Sequence, residues 1–286
     1  MADRLVDTSR PPPLTIWMVA ILISVVALAS LCFFTRNQPV SNKGVYLLHS
    51  CLSDYPALNE KQKPLVLAIG TSLLVHGTDP IHSFTASLTN MAWVRCEIPV
   101  RSWKGIEQSA PLIIEYHPAI LLLHEGELSQ ETPFAQFVED MRYKIKGRLD
   151  AHLFKPKMSD TFRPECLTNS HGSKQEYAEI INSDPGIFAS AATWIKRIQA
   201  SGTQVVLVDI PRAPELEHGL GDMLVRRRVA LQKLALESGA EYWHFPAPTG
   251  QFAYCQDEAH MAQFGRDQFA PQLAYRLQTL LSKKVH

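Results

Sequence analysis

Pro64-Leu65-Val66-Leu67-Ala68-Ile69-Gly70-Thr71-Ser72 is the stretch on which the fold turns. Its apolar run has the length and composition of a strand buried on both faces, and the Gly-Thr-Ser that follows breaks the run where a parallel strand would reach the edge of its sheet. Downstream, strand-like runs recur at 93–98, 120–123, 205–210 and 241–244, separated by helix-like stretches at 83–91, 106–116, 134–145, 188–200, 224–238 and 265–281. Strands alternating with helices predict an α/β fold: a three-layer α/β/α sandwich around a central parallel sheet of about five strands, of flavodoxin-like topology. Right-handed crossovers would bring every strand C-terminus, and with them Ser72, to one edge.

A serine hydroxyl needs a base to take its proton and a carboxylate to orient that base. The far end of the chain offers both in Asp257-Glu258-Ala259-His260. Three residues' separation lets the Asp257 carboxylate reach one imidazole nitrogen while the other faces outward. Ser72, His260 and Asp257 are therefore the candidate triad.

Gly70-Thr71-Ser72-Leu73 after the first strand, with Gly77 closing the block, and Asp257-x-x-His260 before the last helix together resemble the SGNH, or GDSL-like, hydrolase family, over roughly residues 64 to 283. Thr71 stands where that family usually has aspartate. The resemblance implies an SGNH-type fold, acyl-ester chemistry on Ser72, and an oxyanion hole made by the N–H groups of Ser72 and of a second-block glycine. That glycine is Gly105 in Pro99-Val-Arg-Ser-Trp-Lys-Gly105, with Ser102 as a rival. The third block normally supplies an asparagine donor. Here the chain reads His124-Glu125-Gly126-Glu127-Leu128-Ser129, and aligning the glycine puts Leu128 in the asparagine's slot. Losing one such donor typically costs about two to three powers of ten in turnover. Ser129 is a candidate substitute, Glu127 a candidate auxiliary to His260, and Arg212, after the fourth strand, a candidate contact for an anionic substrate group. Pairing of Arg212 with Asp209 or Glu215 is the alternative.

Leu14 to Phe34 is twenty-one residues without a charge, long enough to cross a bilayer as a helix rising about 1.5 Å per residue. The sequence thus divides into a short tail at 1–13, a transmembrane helix at 14–34, a tether at 35–63 and an SGNH-like catalytic domain at 64–286, with an insertion around 149–185 that forms either a lid or a surface loop. The expected location is a single-pass membrane protein with its domain outside the cytoplasm, periplasmic in a bacterium. Outside the span lie Cys51, Cys96, Cys166 and Cys255, compatible with two disulfides in any of three pairings or with reduced, buried thiols.

Twenty-eight basic against twenty-eight acidic residues give zero formal net charge, so no long-range field draws polyanions and nucleic acid is not an expected partner. Arg226-Arg227-Arg228 reads as a solvated helix face. A metal could be sought at His124, Glu125, Glu127, Asp257 and His260, but these would have to converge from separate loops; neither metal nor cofactor is expected. The aromatics Trp103, Trp243, Phe245, Phe252 and Tyr254 either stack on sugars or pack the core. The functional expectation is a membrane-anchored serine esterase or O-acetyltransferase acting on an acylated envelope polysaccharide or similar ester. The alternatives are a lipid or thioester hydrolase of the same family, or a catalytically degenerate glycan-binding or scaffolding envelope protein with assembly partners.

Overall fold

The computed structural model describes residues 13–35, 43–53, 63–79, 81–98, 103–129, 177–178, 181, 185–250, 252–255 and 258–284. The chain divides into two units, Met1–Ser41 and Asn42–His286. The first contains α1 (Leu14–Thr35), a helix of 22 residues. Among the described residues no helix is long and apolar enough to cross a membrane.

The second unit is built on five parallel strands: β1 (Leu65–Gly70), β2 (Ala92–Glu97), β3 (Ile120–His124), β4 (Gln204–Asp209) and β5 (Glu241–His244), in the order β2-β1-β3-β4-β5. Alternate side chains supply two apolar layers. Val66, Ala68, Ile120, Leu122, Val206 and Val208 face one of them, with Leu73 and Leu74 of α3 (Ser72–Gly77), Phe84 of α4 (Ile81–Ala86) and Phe269, Leu273 and Leu277 of the last helix, Gln263–Lys284. Leu65, Leu67, Ile69, Leu121, Leu123, Val205 and Leu207 face the other, against α5 (Trp103–Gln108), α6 (Ala110–Tyr116), α7 (Pro185–Gln199) and, beyond α8 (Pro214–Leu220), α9 (Asp222–Ser238). Burial on both faces explains why β1 and β3 read as unbroken apolar runs.

Part of the segment read as a tether belongs to this unit. Helix α2 (Lys43–Ser53) buries Leu48 and Leu52 in the second layer, and Cys51 is bonded to Cys96 of β2. The apolar spacing of 48, 51 and 52 gives α2 a face that only packing can cover. It lies beside an edge strand that also carries Arg95 and Glu97, charges that discourage strand addition.

Helix boundaries depart from the sequence reading in two places. The helix expected at 83–91 runs Ile81–Ala86, and the one expected at 106–116 is two helices, parted at Ser109 before Pro111. The helix expected at 134–145 lies outside the described residues, and so does almost all of the insertion, of which Tyr177 and Ile181 pack into the first layer.

Candidate active site

In this strand order β1 sits between β2 and β3, so the chain leaves β1 at the point where successive crossovers turn in opposite directions. A crevice opens at such a point in open α/β sheets. Ser72 is the first residue after the turn. Thr71, extended at φ −78°, caps α3 by accepting the Leu73 N–H at 3.2 Å. Gly70 leaves no room for a side chain, because a Cβ there would stand 2.9 Å from the His124 Cβ and 2.7 Å from Leu74.

The candidate base comes from the other end of the chain. Ser72 Oγ and His260 Nε2 are 2.7 Å apart, across 188 residues of sequence, and both residues are half-buried. This is hydrogen-bond distance for a nucleophile and its base. The loop carrying His260 is cross-braced: the Cys255 N–H donates to the His260 carbonyl at 2.8 Å, the Glu258 N–H to the Cys255 carbonyl at 2.9 Å, and Tyr254 bridges Met261. Gly265 packs against the Ala253 carbonyl so closely that a Cβ would come within 2.1 Å of it. Asp257 and Ser102 lie outside the described residues.

Two further histidines stand near the pair. His76, one helical turn beyond Ser72 and buried, has its ring centroid 4.5 Å from that of His260. Its i+4 spacing from Ser72 was the available signal, hidden because the Gly-Thr-Ser reads as a turn rather than a helix start. His124, at the end of β3, has Nδ1 3.2 Å from Thr71 Oγ1, tying the end of β3 to the residue before Ser72. Burial, above all, pushes its pKa down to about 4, so the ring is neutral near pH 7.

The third block does not present its side chains as the sequence alignment implies. Leu128 is fully buried in the second apolar layer, and its carbonyl accepts from Arg227 at 3.0 Å. The Ser129 hydroxyl donates to the Gly126 carbonyl at 2.7 Å, which takes it away from any role as a substitute donor. Glu127 is completely buried. Gly105 lies buried in the first turn of α5, where N–H groups have no carbonyl partner within the helix. The start of α5 is fastened to the third-block loop by the Trp103 N–H, which donates to the Ser129 carbonyl at 3.3 Å.

Arg212 is not a substrate contact. It is 1% exposed and donates to Glu125 at 2.5 Å and Asp209 at 3.5 Å. The Arg226-Arg227-Arg228 run is likewise only partly a solvated face. Arg227 is buried and bonds Glu125 Oε2 at 3.2 Å, while Arg228 joins Asp209 at 2.6 Å and Glu217 at 2.7 Å. Burial alone would raise both carboxyls, but Arg212 and Arg227 beside Glu125, and a His244 hydrogen bond followed by Arg212 and Arg228 at Asp209, outweigh it and hold both below the usual range. Of the aromatics considered for sugar stacking, Trp103, Trp243 and Phe245 are core residues; Phe252 is exposed and Tyr254 half-buried. Among the described residues no group of His, Cys, Asp and Glu is arranged to hold a metal ion.

No protein-family model and no curated protein sequence matches the chain. Solved structures to which the chain is similar include TesA, an esterase and a lipase/acylhydrolase. TesA is 13% identical, with a TM-score of 0.45 over 76% of this chain and 99% of that one. The psychrotrophic esterase EstA from Pseudoalteromonas sp., inhibited by monoethylphosphonate, is 10% identical, with a TM-score of 0.43 over 77% of this chain and 100% of that one. The lipase/acylhydrolase from Enterococcus faecalis is 11% identical, with a TM-score of 0.39 over 76% of this chain and 96% of that one. At such identities and scores the likeness gives no residue of this chain a role.

Proposed function

We propose that the protein is a serine acyl-ester hydrolase or O-acetyltransferase, anchored in a membrane and acting on an acylated envelope polysaccharide or a similar ester. The observation that carries this is the 2.7 Å approach of Ser72 Oγ to His260 Nε2 at the switch point of the sheet. In the proposed reaction His260 takes the Ser72 proton as Oγ attacks the ester carbonyl, and Asp257 holds the imidazole. The N–H groups of Ser72 and Gly105 carry the negative charge that develops on the carbonyl oxygen. His260 then returns its proton to the leaving alcohol, and water or a sugar hydroxyl resolves the acyl-serine.

Two observations support the location. Apolar side chains of α1, among them Leu14, Ile16, Trp17 and Met18, are each more than half exposed, a surface that lipid would cover. The Cys51–Cys96 disulfide, with Cys255 also disulfide-bonded, fits an oxidising compartment outside the cytoplasm.

The test is covalent labelling of the full chain by a fluorophosphonate. Stoichiometric labelling at Ser72, lost in Ser72→Ala and His260→Ala, is the expected result, and absence of labelling at any pH would refute it. One observation favours a second reading, a catalytically degenerate glycan-binding or scaffolding protein: neither Leu128 nor Ser129 turns a donor toward the nucleophile. Unlabelled protein that still binds an acylated polysaccharide would select that reading. Acetyl donors with and without sugar acceptors then separate transfer from hydrolysis.

A further inference from the structure

The chain leaving β4 runs beside the loop that carries His260, and Arg212 anchors it there. Its guanidinium is clamped between Glu125, directly after β3, at 2.5 Å and Asp209, the last residue of β4, at 3.5 Å. Its backbone N–H donates to Glu217 Oε1 at 3.3 Å. With side chain and backbone both held, the next peptide has a fixed direction, and the Ala213 N–H donates to the Glu258 carbonyl at 2.8 Å. Glu258 has φ +59°, a left-handed conformation that a glutamate adopts only where its surroundings impose it. From Glu258 two more main-chain bonds lead through Cys255 to the His260 carbonyl.

We infer that Arg212 and Ala213 form a positioning unit for His260, an inference that rests on His260 being the base for Ser72. The His260 loop belongs to no helix; a one-residue bridge between Tyr254 and Met261 and the core packing of Ala259 and Met261 hold it from within, and its place relative to α3 also depends on what braces it from outside. The Ala213 hydrogen bond is such a brace, and the buried arginine carries it to the ends of β3 and β4. Arginine suits the task because its planar fork reaches two carboxylates at once, which an ammonium on a flexible stem does not. A displacement of the imidazole by about 1 Å would break the Ser72 contact, a change worth about a hundredfold in rate.

Each carboxylate keeps a second guanidinium when Arg212 is removed, Arg227 at 3.2 Å for Glu125 and Arg228 at 2.6 Å for Asp209, so Arg212→Met need not unfold the sheet. The sharper variant is Ala213→Pro. It deletes the one N–H, and φ −55° at this position suits the proline ring. Ala213→Gly retains the N–H and serves as the conservative control.

The experiment follows two readouts on the full chain: the rate of Ser72 labelling by a fluorophosphonate, and amide hydrogen exchange in residues 255–261 compared with β4. Ala213→Pro and Arg212→Met should slow labelling by about tenfold or more and speed exchange at the Cys255 and Glu258 amides, with β4 still protected and Ala213→Gly like the native chain. Labelling by Ala213→Pro within about twofold of the native rate, or an unchanged loop exchange pattern, overturns the inference. A native chain that is never labelled overturns the serine reading itself, and with it the catalytic meaning of the brace, while the exchange data still decide whether the brace holds the loop.

Discussion

Protonating His124 is a direct way to perturb the turn that carries Ser72. Its imidazole is wholly buried and its pKa falls from 6.5 to about 4, chiefly through burial, with Glu125 and Asp209 pulling it up and Arg212 and Arg227 pushing it down. The gap of roughly 2.5 units corresponds to about 3 kcal/mol between the two protonation states. Because the folded value is the lower one, the unfolded chain takes up the proton first as pH falls. The stabilisation is complete above about pH 6.5 and is lost as pH drops toward 4. His124→Asn keeps a side chain able to bond Thr71 but removes the titration. Urea unfolding at pH 7.5 and pH 4.5 should therefore show the native chain losing roughly 2 to 3 kcal/mol more than the variant between the two conditions. Equal losses in both would refute the assignment of a neutral, buried imidazole at the end of β3.

Glu125→Gln leaves Arg212 and Arg227 facing a neutral amide in the interior and should cost about 3–5 kcal/mol; much of that should return in the double variant with Arg212→Met, and thermal unfolding with no such recovery would count against the pairing. Leu128→Asn places an amide in a fully buried apolar site and should cost about 2–4 kcal/mol without raising esterase turnover. An increase in turnover would show that residue 128 reaches the crevice after all. Replacing both Cys51 and Cys96 by serine opens a loop with a sequence separation of 45, worth about 4 kcal/mol on a chain-entropy argument. An unchanged urea midpoint would show that α2 is held by its apolar face alone.

β1 and β3 were legible because each is buried along its whole length, so its apolar run stands out whatever surrounds it; both extend the expected ends by one residue. The Ser72–His260 approach was legible from residue types and from the edge to which parallel strands deliver their ends. Arg227 was obscured by its neighbours: three consecutive arginines suggest a solvated face, yet Leu224, Arg227, Leu231 and Leu234 form a buried stripe at helical spacing. The Glu125 partners could not be read at all, since Arg212 and Arg227 lie 87 and 102 residues away and nothing local marks a carboxylate as buried. Leu128 misled because aligning on Gly126 assumes that the next turn keeps its facing, whereas the 3-10 turn Glu125–Glu127 delivers that leucine to the core.

The distance in sequence between Ser72 and His260 has a consequence for how the protein is made. A growing chain emerges amino end first, so the hydroxyl at position 72 exists for most of synthesis with no imidazole to meet, and the two come together only once residue 260, 188 positions later, is in place. Until then the hydroxyl has no partner from the far end of the chain, so the pair can form only after all five strands of the sheet have been synthesised.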